Sequence, residues 1–314
     1  MAVTPRPDGH VDLIIVGGGP AGCAAALMAA SVGMRSVLVE AGDALCGKLQ
    51  HIAAVNNVAG GHTSGPELAA DIGKDVARTD LCEVQLGVRA TGIDASDDHV
   101  AVTLDTGRRL TAAYAIVATG VGPLSADDVS WLTVAEDMVL PTLWGAAIPG
   151  GEPGPLLVLG ADRPLGTFLR AHALHSTAVV VAYPPGDDYK ADEVRSDPRV
   201  TLLPLTRLSV RPAADATFAA EWTDRQDQSG TLTARAVYLN LGSAPTPPPG
   251  ALIPDSTGYC PPETQHPHIL TAGDLRSSRF QRIMTATGSG SEAALRTYYA
   301  QQNLPPSGRG RYAT

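Results

Sequence analysis

The feature that most constrains this 314-residue chain lies in its first 40 residues. A short apolar run, Val11 to Val16, leads into Gly17-Gly18-Gly19-Pro20-Ala21-Gly22. An Ala-rich helical stretch from Cys23 to Val32 follows, then a second apolar run from Arg35 to Val39 that ends at Glu40. Strand, G-x-G-x-x-G turn, helix, strand and terminal acid within one unit of ~30 residues make a dinucleotide-binding fingerprint. Gly17 permits the tight turn, Gly19 lets the backbone approach a pyrophosphate, and Gly22 lets the helix pack close to the sheet. The start of the helix, with Pro20 and Ala21, offers free N–H groups and a positive dipole end to the phosphates. Glu40 lies where a carboxylate accepts hydrogen bonds from a ribose. It also repels a 2′-phosphate, which leaves FAD or NAD at this site and disfavours NADP.

Two further patterns extend the reading. Near the C-terminus, Pro267 to Leu270 leads into Thr271-Ala272-Gly273-Asp274, a segment Leu275 to Arg282, and a helix over Ile283 to Gln301. Taken alone, Gly273-Asp274 ends a strand and caps a turn. Beside the first fingerprint it suits FAD: the Asp274 carboxylate binds the ribityl chain, and the helix N-terminus faces the flavin pyrimidine, which becomes negative on reduction. Between these lies a second strand–turn–helix–strand pattern: Pro155 to Leu159, Gly160-Ala161-Asp162-Arg163-Pro164-Leu165-Gly166, Thr167 to His175, and Thr177 to Tyr183. Tyr114 to Gly120 and Val237 to Gly242 read as returning strands, and His99 to Arg109 as a β-hairpin. The expected fold class is α/β, with two Rossmann-like, three-layer nucleotide-binding domains. An FAD domain formed by residues 1–121 and 245–314 is split by an NAD(P)H-type domain over 122–244.

Hydrophobic residues make up 44% of the chain and charged residues 18%, enough apolar content for a packed core. The net charge of −9 and the lack of any Lys/Arg-rich run give no support for nucleic-acid binding. Met1 to His10 has no basic region followed by an apolar one, and no apolar stretch approaches the ~20 residues of a membrane span. A soluble, cytoplasmic protein is expected. The four cysteines, Cys23, Cys46, Cys82 and Cys260, form no C-x-x-C pair and no zinc pattern, so neither a disulfide framework nor a metal site is expected.

The arrangement resembles the low-molecular-weight thioredoxin reductases of the pyridine nucleotide–disulfide reductase superfamily. The resemblance is carried by Gly17 to Gly22, Glu40, Gly47-Lys48-Leu49, Asn57, Ala118-Thr119-Gly120, and Ala272-Gly273-Asp274 with the Gly288/Gly290 helix. It implies that these positions, together with Gln281-Arg282-Ile283, hold FAD, and that the protein is a homodimer. Three departures stand out. The redox C-x-x-C position is filled by Leu143-Trp144-Gly145-Ala146, and no cysteine lies between Cys82 and Cys260, so dithiol–disulfide exchange is not available. In the second fingerprint Asp162 replaces a glycine and Leu165 a small residue. After the next strand, Tyr183-Pro184-Pro185-Gly186-Asp187-Asp188 offers acids where the family has basic residues for a 2′-phosphate. The inserted domain is therefore not expected to serve NADPH. The family's Arg-Gln-Ala reads Gln281-Arg282-Ile283, which keeps backbone donors but moves the Arg side chain by one position.

Catalytic candidates are Cys46, Lys48, His51, His62 and Trp144. Cys46 is either a lone reactive thiol or an apolar filler. Lys48 is either a cation that stabilises reduced flavin and favours oxygen as acceptor, or a solvent-facing side chain. His51 and His62 are either bases near the flavin or structural imidazoles. Trp131 and Trp144 either line an aromatic substrate pocket or fill space between domains. Cys23 is read as helix packing. Three functions remain open: an FAD-dependent oxidase or dehydrogenase of a small organic substrate, an NAD(P)H- or ferredoxin-dependent reductase, and a flavoprotein whose FAD is structural.

Overall fold

The computed structural model describes residues 11–136, 138–144, 146–150 and 154–304. The readings of Met1 to His10, Gly145 and Pro305 to Thr314 lie outside them. The chain divides into two compact units. The first comprises Met1–Gln50, Val55–Gly122 and Pro245–Thr314, and the second His51–Ala54 and Pro123–Ala244.

The first unit opens with β1 (Leu13–Val16), α1 (Pro20–Ser31), β2 (Ser36–Glu40), α2 (Gly65–Ala77) and β3 (Cys82–Leu86). It continues through β4 (Ala90–Ala95), β5 (Val100–Leu104), β6 (Arg109–Ala112), β7 (Tyr114–Val117) and β8 (Val121–Pro123). The second unit holds β9 (Leu132–Val134), β10 (Leu156–Leu159), α3 (Pro164–Ala171), β11 (Val179–Tyr183) and β12 (Val200–Pro204). Then come β13 (Arg207–Pro212), β14 (Phe218–Thr223), β15 (Ser229–Ala234) and β16 (Ala236–Leu239). The returning chain adds β17 (Ser243–Pro245), β18 (Ile269–Thr271) and α4 (Ile283–Gln301).

In the first unit, five parallel strands run in the order β18-β7-β1-β2-β3. β1 is apolar at every position because it is buried on both faces. Leu13 and Ile15 pack against α1 and α4. Ile14 and Val16 pack against Ile93, Val100, Val102 and Leu104 of a three-stranded antiparallel sheet, β4-β5-β6. Helices, parallel sheet and antiparallel sheet form three layers. The expected hairpin is thus two-thirds of a meander; β4 escapes sequence reading because Gly92 and a register shift between Ala90 and Gly92 break its alternation.

α1 is built from small residues, which let α4 approach to backbone contact: a Cβ on Gly290 would lie 1.9 Å from the Ala21 carbonyl oxygen. α1 begins at Pro20, three residues before the expected start. α3 begins at Pro164 and ends at Ala171, where Thr167 to His175 is expected. Both shifts have one cause: proline has no N–H to lose in a first helical turn. The second unit repeats the layering. Its parallel sheet, β12-β11-β10-β16, packs α3 on one face through Leu156 and Val158. On the other face Leu157 and Leu159 meet the sheet β15-β14-β13-β9. The chain passes from one unit to the other along β8 and back along β17, and these two strands pair side by side. Among the described residues, no helix is long and apolar enough to cross a membrane.

Candidate functional site

The first unit shapes a cradle at the carboxyl ends of β1, β2 and β7. Gly17 takes φ +104°, and a Cβ there would sit 2.5 Å from the Ala118 carbonyl oxygen. A Cβ on Gly22 would meet the Gly17 carbonyl oxygen at 1.8 Å, so the first turn of α1 rests directly on the β1 turn. Gly19 has the opposite character. It is the N-cap of α1, and nothing lies within 4 Å of the position its Cβ would take. That opening, beside first-turn N–H groups with no intrahelical acceptor, is the geometry a pyrophosphate requires. Pro20 holds the first helical position, and Ala21 packs under α4.

Glu40 closes the other side. Its Oε2 accepts the Gly18 N–H at 2.6 Å and its Oε1 accepts the Gly42 N–H at 2.7 Å. Each carboxylate oxygen keeps a second acceptor site for a ribose hydroxyl. Thr119, after β7, has a buried hydroxyl with no partner, and Gly120 follows it at φ +66°. Gly273 donates its N–H to Ser289 Oγ of α4 at 2.8 Å and starts the 3-10 turn that carries Asp274. Ile283 opens α4, with Arg282 as an N-cap whose side chain makes no cap bond. Arg282 instead donates to the Gln281 carbonyl at 2.9 Å, and the Gln281 amide turns back to the Ser277 carbonyl at 3.0 Å. The open Gly19 face, the orphan Thr119 hydroxyl and the anchored Glu40 fit a dinucleotide such as FAD.

The 3-10 turn Gly47–His51 distributes its residues differently. Gly47 is exposed and Leu49 is buried. Lys48 is exposed as a residue, while its ammonium donates to the Val121 carbonyl; burial of that end lowers its pKa, and Asp274 acts in the opposite sense. Cys46 is fully buried in a left-handed conformation, φ 56°, and is not a lone thiol. Its sulfur lies 3.9 Å from that of Cys23, an approach the sequence spacing of the two does not reveal. The Cys23 thiol is pushed well up, first by its hydrogen bond with Cys46 and then by burial. Asn57 is exposed on its loop. His62 turns to α2, with Nδ1 3.9 Å from Asp71. His51 belongs to the second unit, as does Trp144. Trp131 packs against the mixed sheet β15-β14-β13-β9 of that unit.

The second unit holds the matching turn, altered at each functional position. Gly160 repeats Gly17, with φ +102° and a carbonyl, that of Asn240, 2.2 Å from where its Cβ would be. Where the first unit has Gly19 there is Asp162, and where it has Ala118 there is Asn240. The Asn240 amide donates to the Gly160 and Asp162 carbonyls at 3.1 and 2.8 Å, bracing the turn from beneath. The strand register sets Tyr183 where the first unit has Glu40. Tyr183 is fully buried and donates its hydroxyl to Asp188 at 2.7 Å, and Asp188 pairs with Arg195 at 3.0 Å. The charged groups that follow β11 are committed to one another: Lys190 pairs with Asp187 at 3.0 Å, as Arg195 does with Asp188. Asn240 is the functional position that sequence reasoning misses; its only signal is its place two residues before Gly242, as Ala118 stands before Gly120.

Comparison with known proteins agrees with this construction. Residues 11–130 match the family model "Pyridine nucleotide-disulphide oxidoreductase". The F component of the alkyl hydroperoxide reductase of Staphylococcus aureus is 24% identical over 309 residues, covering 91% of this chain and 58% of that protein. An NADH dehydrogenase of Ferdinandcohnia aciditolerans is 25% identical over 319 residues, covering 94% and 59%. The chain therefore spans under two-thirds of the length of these relatives. Among solved structures, Lactococcus lactis thioredoxin reductase superposes with a TM-score of 0.73 at 18% identity, covering 94% of this chain and all of that one. The bacillithiol disulfide reductase Bdr of Bacillus cereus gives 0.70 at 17% identity, covering 93% and 99%.

Proposed function

We propose that the chain, whose residues 11–130 match the family model "Pyridine nucleotide-disulphide oxidoreductase", is a thioredoxin reductase-like flavoprotein that acts as an FAD-dependent oxidase or dehydrogenase of a small organic substrate. It uses neither a redox disulfide nor NADPH, takes oxygen as acceptor, and acts as a cytoplasmic homodimer. FAD supplies the redox chemistry, taking electrons from the substrate and passing them on.

The observation that carries this reading is the contrast between two equivalent turns. At Gly19 the space is open, and Glu40 holds the loop beside it. In the second unit Asp162 and Tyr183 occupy the corresponding positions, and no basic residue replaces them. A carboxylate in place of a pyrophosphate-facing glycine repels the ligand and removes its closest backbone approach. The protein's own groups have separate tasks in this scheme. Gly17, Gly19, Gly22 and Glu40 bind the adenosine and pyrophosphate end; Thr119, Gly120, Gly273 and Asp274 border the central part. The backbone at Gln281 to Ile283 presents the α4 N-terminus to the ring. Lys48, held by the Val121 carbonyl and near Asp274, sets the local charge.

An anaerobic titration of the purified holoprotein with NADPH and then NADH, followed by the loss of oxidised flavin absorbance, tests the reading. Bleaching by dithionite alone is expected. Rapid stoichiometric bleaching by either nicotinamide would overturn it in favour of a reductase, a reading favoured by the relationship to an NADH dehydrogenase at 25% identity.

A further inference from the structure

The second unit carries a largely apolar cavity of about 280 Å³. One wall is α3, through Thr167, Phe168 and His172; another is the segment holding Leu143, Trp144 and Ala146, at the position of the family dithiol. That segment is tied down on both sides of Trp144. Before it, the Leu143 N–H donates to the Leu239 carbonyl at 2.8 Å. After it, the Tyr238 hydroxyl donates to the Ala147 carbonyl at 3.0 Å. His172 Nε2 lies 3.3 Å from the Ala146 carbonyl, and since a carbonyl only accepts, the ring is the donor. β16 and α3 thus fix this wall at three points, and a preformed wall spares a ligand the cost of ordering it.

Two aromatic side chains border the cavity. Phe168, 5% exposed, is held by the rings of His172 and Tyr238, with centroids 4.7 and 6.5 Å away. Trp144 is 38% exposed. The polar residues of α3 spend groups within the protein: His172 Nε2 on Ala146, and Thr167 Oγ1 as acceptor from Arg170 at 3.4 Å. Among the described residues that line the cavity, none is Asp, Glu, Lys or Arg. A charged ligand would shed its water there without meeting an opposite charge. A cation over one partly solvated indole face recovers less than that loss. Size narrows the class further. An apolar cavity of roughly 150 Å³ accepts one benzene ring, so about 280 Å³ accepts two fused rings.

We propose that the cavity beside α3 is a binding site for an uncharged molecule of two fused aromatic rings. The rings contact Trp144 and Phe168, and the apolar walls select against charge. The site is read from the second unit alone and stands whether or not the flavin turns over.

Calorimetric titration of the full holoprotein at pH 7.5 with tryptophol, tryptamine, indole-3-acetate and 2-phenylethanol separates the terms. The first three share a ring and differ in tail charge; the fourth keeps the neutral tail on a single ring. Tryptophol is expected to bind at least fivefold more tightly than each of the others. Trp144→Ala, at a partly exposed position, is expected to weaken tryptophol at least fivefold with Tm unchanged, and Trp144→Phe, which keeps an aromatic face, to lose less. The proposal is overturned by no heat from tryptophol at millimolar concentration, or by a smaller preference over any of the other three. Tryptophol binding unchanged in Trp144→Ala, or weakened as much by Trp144→Phe, would overturn it too.

Discussion

Glu40 holds two backbone amides at once, those of Gly18 and Gly42, and so fixes the loop on which a ribose would rest. Glu40→Ala releases both and removes a charged acceptor. FAD affinity is expected to fall at least tenfold, about 1.4 kcal/mol or more, measured by flavin fluorescence on titrating the apoprotein. Glu40→Gln keeps one acceptor oxygen and is expected to lose less. The thiols give a second residue-scale test. Cys23, Cys46 and Cys260 are buried, whereas Cys82 is partly accessible. Titration of the native protein with a thiol-specific disulfide reagent is expected to consume one thiol quickly, and all four after denaturation. Cys82→Ser is expected to remove the fast phase. The Gly17–Glu40 arrangement was legible because the Gly18–Glu40 contact lies within one strand–turn–helix–strand unit. The brace from Asn240 to Gly160 was not, since it depends on chain returning from 80 residues away, and the approach of Cys46 to Cys23 was not, since it depends on the left-handed turn at Cys46 after the fingerprint ends.

At the scale of elements, α1 and α4 meet through Gly290 and Ala21 with no room for a side chain. Gly290→Val forces the helices apart or leaves the clash unrelieved. A loss of roughly 2–4 kcal/mol is expected, seen as a lowered Tm together with earlier flavin release. In the second unit, the buried Tyr183 carries the alkaline prediction. Burial, and then its hydrogen bond to Asp188, raises its pKa from 10.0 to about 12. The raised folded value means that its stabilising contribution is fully present below pH 10 and is lost as pH rises towards 12. Tyr183→Phe is therefore expected to flatten the fall in stability between these two values in denaturant titrations at stepped pH. Most parallel strands were visible as unbroken apolar runs, because strands covered on both faces need no polar side. β4 was hidden by Gly92, and the start of α3 by Pro164, a residue more familiar as a helix breaker.

At the scale of the whole molecule, fold class was readable because two βαβ signals, each with its returning strand, leave few other topologies. The partner chemistry of the second unit was less readable, since a glycine fingerprint decays by substitutions that each preserve the turn. Gly160 keeps the backbone path while Asp162, Asn240 and Tyr183 change what the path presents. If that change is as deep as proposed, restoring Gly at position 162 alone will not return NADPH reduction. Asp162→Gly is expected to leave anaerobic flavin bleaching by NADPH unchanged, because Tyr183 still occupies the ribose position and the bases that follow β11, Lys190 and Arg195, are paired with Asp187 and Asp188.

The side-by-side pairing of β8 and β17 sets an order of events during synthesis. β18, which flanks β7 in the five-stranded sheet, and α4, which covers that sheet, are both synthesised after the entire second unit. Until that insert closes on itself, its two ends wander and the first unit remains an unfinished sheet with an open edge beside β7. Collapse of the insert brings β8 and β17 together and removes most of the loop-closure cost of adding β18. The yellow colour of bound flavin should thus be the last property a newborn chain acquires, and a chain stalled within the insert should stay colourless however well its first hundred residues are translated.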